Sequence, residues 1–396
     1  MMPVSPVAVV GADCICASGH TLDACMEAML RGGHGPAMPT LFQCAQPEQY
    51  PVFEVRDFEP RNGDADFSRT CQLLFHATEQ ALRGADITPD LLEGLTVGVC
   101  IGTSVGASLN FMDYYEKYRN NEKPGLAPIH TYLRSNPATA LARRWKFSGP
   151  VQSVVNACSS GTDAIGMGAS WIRQGLCDLV VAGGADELNE ISYNGFARLM
   201  ITSTGQCRPF DRERSGLNLG EGAGVLLLAS DKAASLLRAT PRARLLGYGT
   251  CSDAHHLTAP HPEARGLEIA VEQALQCSGL APEDIGFINV HGTATRNNDP
   301  VEGHLLAKYF SHAPFVSTKG YTGHTLGAAG GIEAALTIAC LERETTPGCR
   351  GFAQIDPEIG LAPVRENTSL SARHALSQSL AFGGNNSAII FEKGQA

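Results

Sequence analysis

Val97-Gly98-Val99-Cys100-Ile101-Gly102-Thr103 in the first half of the chain and Phe287-Ile288-Asn289-Val290-His291-Gly292-Thr293 in the second decide the fold. Each is a short aliphatic, β-branched run that ends in Gly-Thr, the composition of a strand stopped by a turn. A second matching pair follows. Asn156-Ala157-Cys158-Ser159-Ser160-Gly161 opens a helix of small residues, and so does Thr322-Gly323-His324-Thr325-Leu326-Gly327-Ala328-Ala329-Gly330-Gly331. A third pair keeps the order: Ala182-Gly183-Gly184-Ala185-Asp186, then Phe382-Gly383-Gly384-Asn385-Asn386. Three matches in one order mark an internal duplication with a period near half the chain. The seam is expected within 231–242, where a polar helix gives way to a new strand, so the halves are 1–240 and 241–396.

Outward from these blocks, short apolar runs alternate with longer helical stretches punctuated by glycine, which is an α/β pattern. Strands are expected at 6–10, 96–101, 179–182 and 224–228, then at 244–247, 287–290, 315–318 and 387–391. Helical spacing covers 68–83, with Ser68 as N-cap, and 160–174, with Gly175 as its stop. The Pro- and Gly-rich stretch 32–60 reads as an excursion over the surface.

The 396 residues are 43% hydrophobic and 18% charged, a globular composition with ample core. A net charge of -10 argues against a nucleic-acid partner. The 13 cysteines include no CxxC pair, so neither a zinc ribbon nor a dithiol redox motif is indicated. No basic residue precedes the first apolar run, and runs such as 224–229 are far too short to cross a bilayer. The expectation is a cytoplasmic protein that binds no membrane.

Three constellations carry chemistry. Cys158 sits where a β-rich run turns into a helix, and the positive end of a helix dipole there favours thiolate. His291 and His324 stand at the ends of expected strands among glycines, where α/β folds collect ligand groups. His324 also precedes a helix, which disfavours imidazolium. Read from position alone, Cys158 is equally a small buried hydrophobe, and the Cys-His-His set is also a conceivable zinc site, although closely spaced ligand pairs are lacking.

Ala-Cys-Ser-Ser-Gly at 157–161, His-Gly-Thr-Ala-Thr at 291–295, Lys319 five residues ahead of His324 with its Gly-Ala-Ala-Gly-Gly tail, and Phe-Gly-Gly-Asn-Asn at 382–386 resemble the motifs of the β-ketoacyl-[acyl carrier protein] synthases. Arg-Pro-Phe-Asp-Arg at 208–212 and Leu-Gly-Glu-Gly-Ala-Gly at 219–224 add to the resemblance, which runs over nearly the whole chain. It is strongest with the type I/II elongating enzymes and the ketosynthases of type II polyketide systems.

The resemblance implies a thiolase-like fold: two duplicated βαβαβαββ halves in a five-layer α-β-α-β-α sandwich. It implies a decarboxylating condensation with no cofactor and no metal, in fatty acid or polyketide chain elongation. Cys158 would carry the acyl chain, His291 and His324 would act on the malonyl partner, and a Lys319–Glu333 pair would orient the second histidine. Backbone N–H groups of Cys158 and Phe382 would form the oxyanion hole, with Ala381, Phe382 and Gly383 in a gating loop. Ala381 stands where the family has glycine, which is expected to narrow that loop's conformations. Val105, Ser108, Phe111 and Phe382 would line the acyl pocket. The implied partners are acyl- and malonyl-loaded acyl carrier protein, and either a second copy or a chain-length-factor homologue in a dimer. Carrier docking is expected on Arg61, Arg69, Arg143, Arg144 and Arg198, with Met200 in place of a family arginine. A noncatalytic chain-length-determining subunit is the competing reading, and the presence of Cys158 speaks against it.

Overall fold

The computed structural model describes residues 3–43, 48–106 and 111–394. Ten strands build the main sheet: β1 (Val7–Cys16), β2 (Val97–Gly102), β3 (Val151–Val154), β4 (Leu179–Asp186), β5 (Gly222–Ala229), β6 (Ala243–Ser252), β7 (Ile285–Asn289), β8 (Phe315–Val316), β9 (His374–Ala381) and β10 (Asn385–Lys393). Their order is β3-β2-β4-β5-β1-β6-β10-β9-β7-β8. Cut between β1 and β6, this becomes two five-strand sets with one topology. In each, the first strand pairs antiparallel with the last, the last antiparallel with the fourth, and the fourth, second and third run parallel. A short antiparallel contact of Val7–Val9 with Ala243–Leu245 joins the sets. The duplication read in three motif pairs is therefore a duplication of sheet topology.

Side-chain alternation sorts the strands' apolar residues into layers. Val180, Ala182, Leu226 and Leu228 join Ile389 and Phe391 of the other half in an inner core, around Ala164, Ile165 and Ile338 from two central helices. Those helices are α3 (Ser160–Arg173) and α6 (Ala329–Arg343). The alternate residues Leu179, Val181, Val225 and Leu227 face outward, onto a core that takes in α1 (Arg69–Gly84) and α2 (Pro137–Trp145). In the second half Ala388 and Ile390 face α4 (Arg265–Ser278) and α5 (Asn298–Tyr309). Because β4 and β5 are covered on both faces, all their residues are buried, and they read as unbroken apolar runs rather than alternating ones.

Several strands exceed the stretches expected from sequence. β1 continues through Gly11 and Asp13, and β4 through Gly183, Gly184 and Asp186, because pairing with β5 holds glycine and acid in the ladder. β8 is shorter than expected, since Lys319–Thr322 already turns as a helix. Ser68 caps α1 by accepting from Cys71 N–H, and Gly175 takes φ +70° after α3, both as expected. Within 32–60, Val52 to Val55 depart from the surface reading and are buried, with Phe53 bridged to Gly220.

The central helices meet backbone to backbone. A Cβ on Gly161 would lie 2.8 Å from Gly327 O and 2.8 Å from Gly331 N. Gly161→Ala should therefore cost about 1–3 kcal/mol through forced separation of α3 and α6. The check is the denaturant midpoint; an unchanged midpoint would mean the helices part freely.

Candidate active site

The chain reaches Cys158 through Ala157, whose φ of +50° places it in the left-handed region and turns β3 sharply into α3. Asp163, one turn into α3, fastens that elbow. It accepts from Asn156 Nδ2 (2.6 Å), Ser159 Oγ (2.9 Å) and, across the seam, Tyr248 Oη on β6 (2.9 Å). From the other half, His291 leaves the end of β7 and His324 lies between Gly323 (φ +66°) and the turn that leads into α6.

These three side chains converge. His324 Nε2 is 3.0 Å from Cys158 Sγ, and the two imidazoles meet edge to face with centroids 5.1 Å apart. Sγ and one nitrogen of each ring all lie within 4.8 Å of one another, and all three residues are buried. Lys319 Nζ approaches His291 Nδ1 at 3.2 Å, donates to His291 O at 2.6 Å and pairs with Glu333. An ammonium only donates, so Nδ1 accepts and the His291 proton sits on Nε2. The lysine–glutamate pair thus orients the first histidine, not the second as the resemblance implied, because Nζ reaches the ring that leaves β7.

Burial and the Lys319 charge hold His324 well below the usual imidazole range, and His291 likewise, with His324 adding to the effect there. Both rings are neutral, but the cause is burial beside a cation rather than a helix end. Burial also pushes the Cys158 thiol up to about 12, against the opposing pull of Lys319 and of a hydrogen bond from Phe382 N–H. The expected dipole-stabilised thiolate is therefore not the resting form, because desolvation outweighs the helix end. A metal-bound histidine ordinarily gives its other N–H to a carboxylate or carbonyl. His291 instead faces an ammonium, which suits a hydrogen-bond donor better than a cation ligand.

Two carboxylates missed in the sequence reading shape the site. Glu302 accepts from His291 N (2.7 Å) and Gly292 N (2.6 Å), and from Gln378 Nε2 (2.7 Å) and Asn298 Nδ2 (2.6 Å). Asp186 gathers Thr103 Oγ1 (2.6 Å), Ser104 N (2.7 Å) and Gly327 N (2.7 Å). Asp186 closes the Ala182–Asp186 motif with no role of its own read for it, and Glu302 lies on a helix with no motif around it.

A cavity of about 480 Å³ opens over Cys158, lined among others by Phe196, Ile201, Leu217, Leu380 and Phe382. Phe382 stacks on Phe196 at 5.6 Å, and Phe196 also packs into an apolar cluster of Leu188, Tyr193, Leu217 and Leu326 that takes in Val105. Val105 thus lies beyond the stacked pair rather than in the cavity wall. Phe111 is half-buried and also outside that wall, and Ser108 lies outside the described residues. Ala381 has extended backbone (φ -139°), which any residue adopts, so the expected narrowing by alanine has no basis in this conformation. The positive φ values fall at Gly383 (+83°) and Gly384 (+78°).

The basic candidates divide. Arg69 is an internal brace, its guanidinium on Glu221 (2.7 and 2.9 Å) and Val55 O (2.6 Å), and this removes it from docking. Arg144 is drawn onto Asp64 and over the Phe75 and Trp145 rings. Arg61 pairs with Glu79 but stays exposed, as do Arg143 and Arg198.

Residues 4–234 match the family described as beta-ketoacyl synthase, N-terminal domain, and 242–353 match its C-terminal domain. The 3-oxoacyl-[acyl-carrier-protein] synthase 2 of Synechocystis is 32% identical over 98% of both chains. Among solved structures, a ketosynthase in complex with its chain length factor from Xenorhabdus doucetiae is 31% identical with a TM-score of 0.86, over 98% of both chains. The ishigamide ketosynthase/chain length factor is 28% identical with a TM-score of 0.92, over 98% of this chain and 99% of the other.

Since the thiolate is the reacting species, alkylation of Cys158 should rise about tenfold per pH unit from pH 7 to 10 without a plateau. Mass spectrometry of the labelled peptide checks this, and a plateau by pH 8 would mean that burial is not dominant. Lys319→Met should lower stability by about 3–5 kcal/mol by stranding Glu333, with Lys319→Met/Glu333→Gln recovering part of the loss in denaturant unfolding.

Proposed function

The chain belongs to the β-ketoacyl synthase family, and from that premise we propose that it is a decarboxylating 3-oxoacyl-[acyl carrier protein] synthase with Cys158 as nucleophile. The observation that carries this reading is the convergence of Cys158, His291 and His324 within 4.8 Å. Cys158 Sγ attacks the carbonyl of an acyl thioester as its proton leaves. Backbone N–H groups of Cys158 and Phe382 receive the oxyanion, and the carrier thiol departs with a proton. Malonyl thioester then enters. Its carbon–carboxylate bond breaks, carbon dioxide leaves, and the electron pair moves to the thioester oxygen as an enolate. Neutral His291 and His324 each offer an N–H to that oxygen, and Lys319 keeps His291 in the donor tautomer. The enolate carbon attacks the Cys158 thioester, expelling Sγ and giving a 3-oxoacyl product.

In this reading 1–240 supplies the nucleophile and 241–396 the two donors. Carbon dioxide release drives the condensation, so no cofactor is called for. The partners are acyl- and malonyl-loaded carrier protein and a dimer mate. Two solved relatives pair with a chain length factor, which makes a heterodimer a concrete alternative to a second copy. No described helix is long and apolar enough to cross a membrane, and the proposed compartment is the cytoplasm.

Cys158→Ala should abolish acylation and condensation. His291→Ala and His324→Ala should each slow malonyl decarboxylation by about 10²–10³ while leaving acylation of Cys158 in part. Carbon dioxide release measured beside acyl-enzyme formation checks both. Normal decarboxylation with lost acylation in the two histidine variants would refute the assigned roles.

A further inference from the structure

Among the described residues that line the cavity over Cys158, one cation has no partner. His291 and His324 are held neutral. Asp253 also lines the cavity, but its carboxylate accepts from His261 N (2.9 Å), Gly266 N (3.0 Å) and Asn386 Nδ2 (3.0 Å). That leaves Arg296. It is exposed and forms no hydrogen bond or ion pair among the described residues.

Its place on the loop fixes where it acts. From His291 the chain climbs from the cavity floor to its rim. His291 and Thr293 are buried, Thr295 is half-buried, and Arg296 and Asn297 are exposed, before Asn298 turns back inside at the start of α5. His291, Thr293, Thr295, Arg296 and Asn297 all line the cavity. Five peptide units from His291 to Arg296 span at most about 18 Å, and positive φ at Gly292 and Ala294 shortens that path. A cation thus stands at the rim of the cavity whose floor holds the Cys158 thiol. Arg212 and Arg214 lie beside it in an adjoining depression with Glu213, Asp356 and Glu358. Arg214 pairs with Asp356, and none of the three acids pairs with Arg296.

A ligand matched to this cavity is uncharged along its inner length and anionic at its outer end. We propose that Arg296 binds the phosphate of the phosphopantetheine arm that delivers acyl and malonyl groups from the carrier protein. This rests on the synthase reading for the identity of the arm. Guanidinium suits the role because its fork matches two phosphate oxygens and its charge persists at any working pH. The contact holds the arm's outer end while the thioester reaches Sγ, so it adds affinity and leaves the chemistry to the buried residues.

The same phosphate occurs in coenzyme A, and the experiment separates the sources. Cys158 is alkylated with a chloroacetamide in the presence of the S-methyl forms of pantetheine, 4′-phosphopantetheine or coenzyme A, which cannot consume the reagent, and its protection is followed by mass spectrometry. On the unaltered protein, phosphopantetheine should protect at about five- to tenfold lower concentration than pantetheine, and added salt should shrink the difference. Arg296→Ala should erase the difference, and Arg296→Lys should keep part of it. Equal protection by the two arms on the unaltered protein, or equal weakening of both by Arg296→Ala, would overturn the assignment. Coenzyme A protecting far better than phosphopantetheine would overturn the carrier as source and assign the mouth to a nucleotide-bearing thioester. The readout is thiol protection, so it stands even if condensation fails and the synthase reading falls with it.

Discussion

The structure depends on how closely two helix backbones approach at its centre. Gly161 of α3 lies against the carbonyl of Gly327 and the amide of Gly331, and Gly330 of α6 lies against the backbone of Thr162. Gly184 and Gly224, from β4 and β5, accept the same segment without a side chain between them. The spacing is functional as well as structural. Cys158 immediately precedes α3, and His324 immediately precedes the turn into α6. Bringing the helix starts together brings thiol and imidazole to 3.0 Å. One methyl group between the helices would push the site's two halves apart before it touched any reacting atom.

That closeness excludes water, and the electrostatics follow. Two imidazoles and a thiol in so dry a place resist charging, so the buried cation beside them acquires unusual reach. Lys319 is stabilised by Glu333, and its ammonium faces His291 Nδ1 and His291 O. It lowers both histidines and pulls the thiol down against burial. A buried ion pair of this kind contributes little net stability over an apolar pair. Its worth lies in fixing a tautomer, because a neutral ring with a fixed N–H is what a developing oxyanion requires.

The motif pairs exposed the duplication because strand–turn–helix junctions constrain sequence locally: a Gly-Thr stop, a small-residue helix, a Gly-Gly pair. Cys158, His291 and His324 were legible for the same reason, each sitting at such a junction. Long-range contacts were not. Arg69 resembles any surface arginine before a helix until β5 brings Glu221 beneath it. Glu302 resembles a solvated helical acid until the turn after β7 points the His291 and Gly292 amides at it. The protonation state of Cys158 was misjudged because a helix end is visible in sequence, whereas burial on every side is a property of the assembled layers.

The loop after β9 shows how strongly the two chemical steps are tied. Phe382 contributes its ring to the stack on Phe196 and its N–H to Cys158 Sγ. Ring and amide belong to one residue, so a swing that unstacks the ring also carries off the donor. The freedom for that swing lies downstream, at Gly383 and Gly384, whose positive φ is costly for other residues. Both glycines are themselves tied, since Gly383 N donates to Leu257 O and Gly384 O accepts from Asp253 N, so a swing must also break these bonds. In the proposed reading an acyl chain that passes Phe196 toward the cluster around Val105 must displace the Phe382 ring. In that reading the ring that bars the way to Val105 and the N–H that faces Sγ belong to one residue, and Ala381, extended at φ -139°, sets no limit on it.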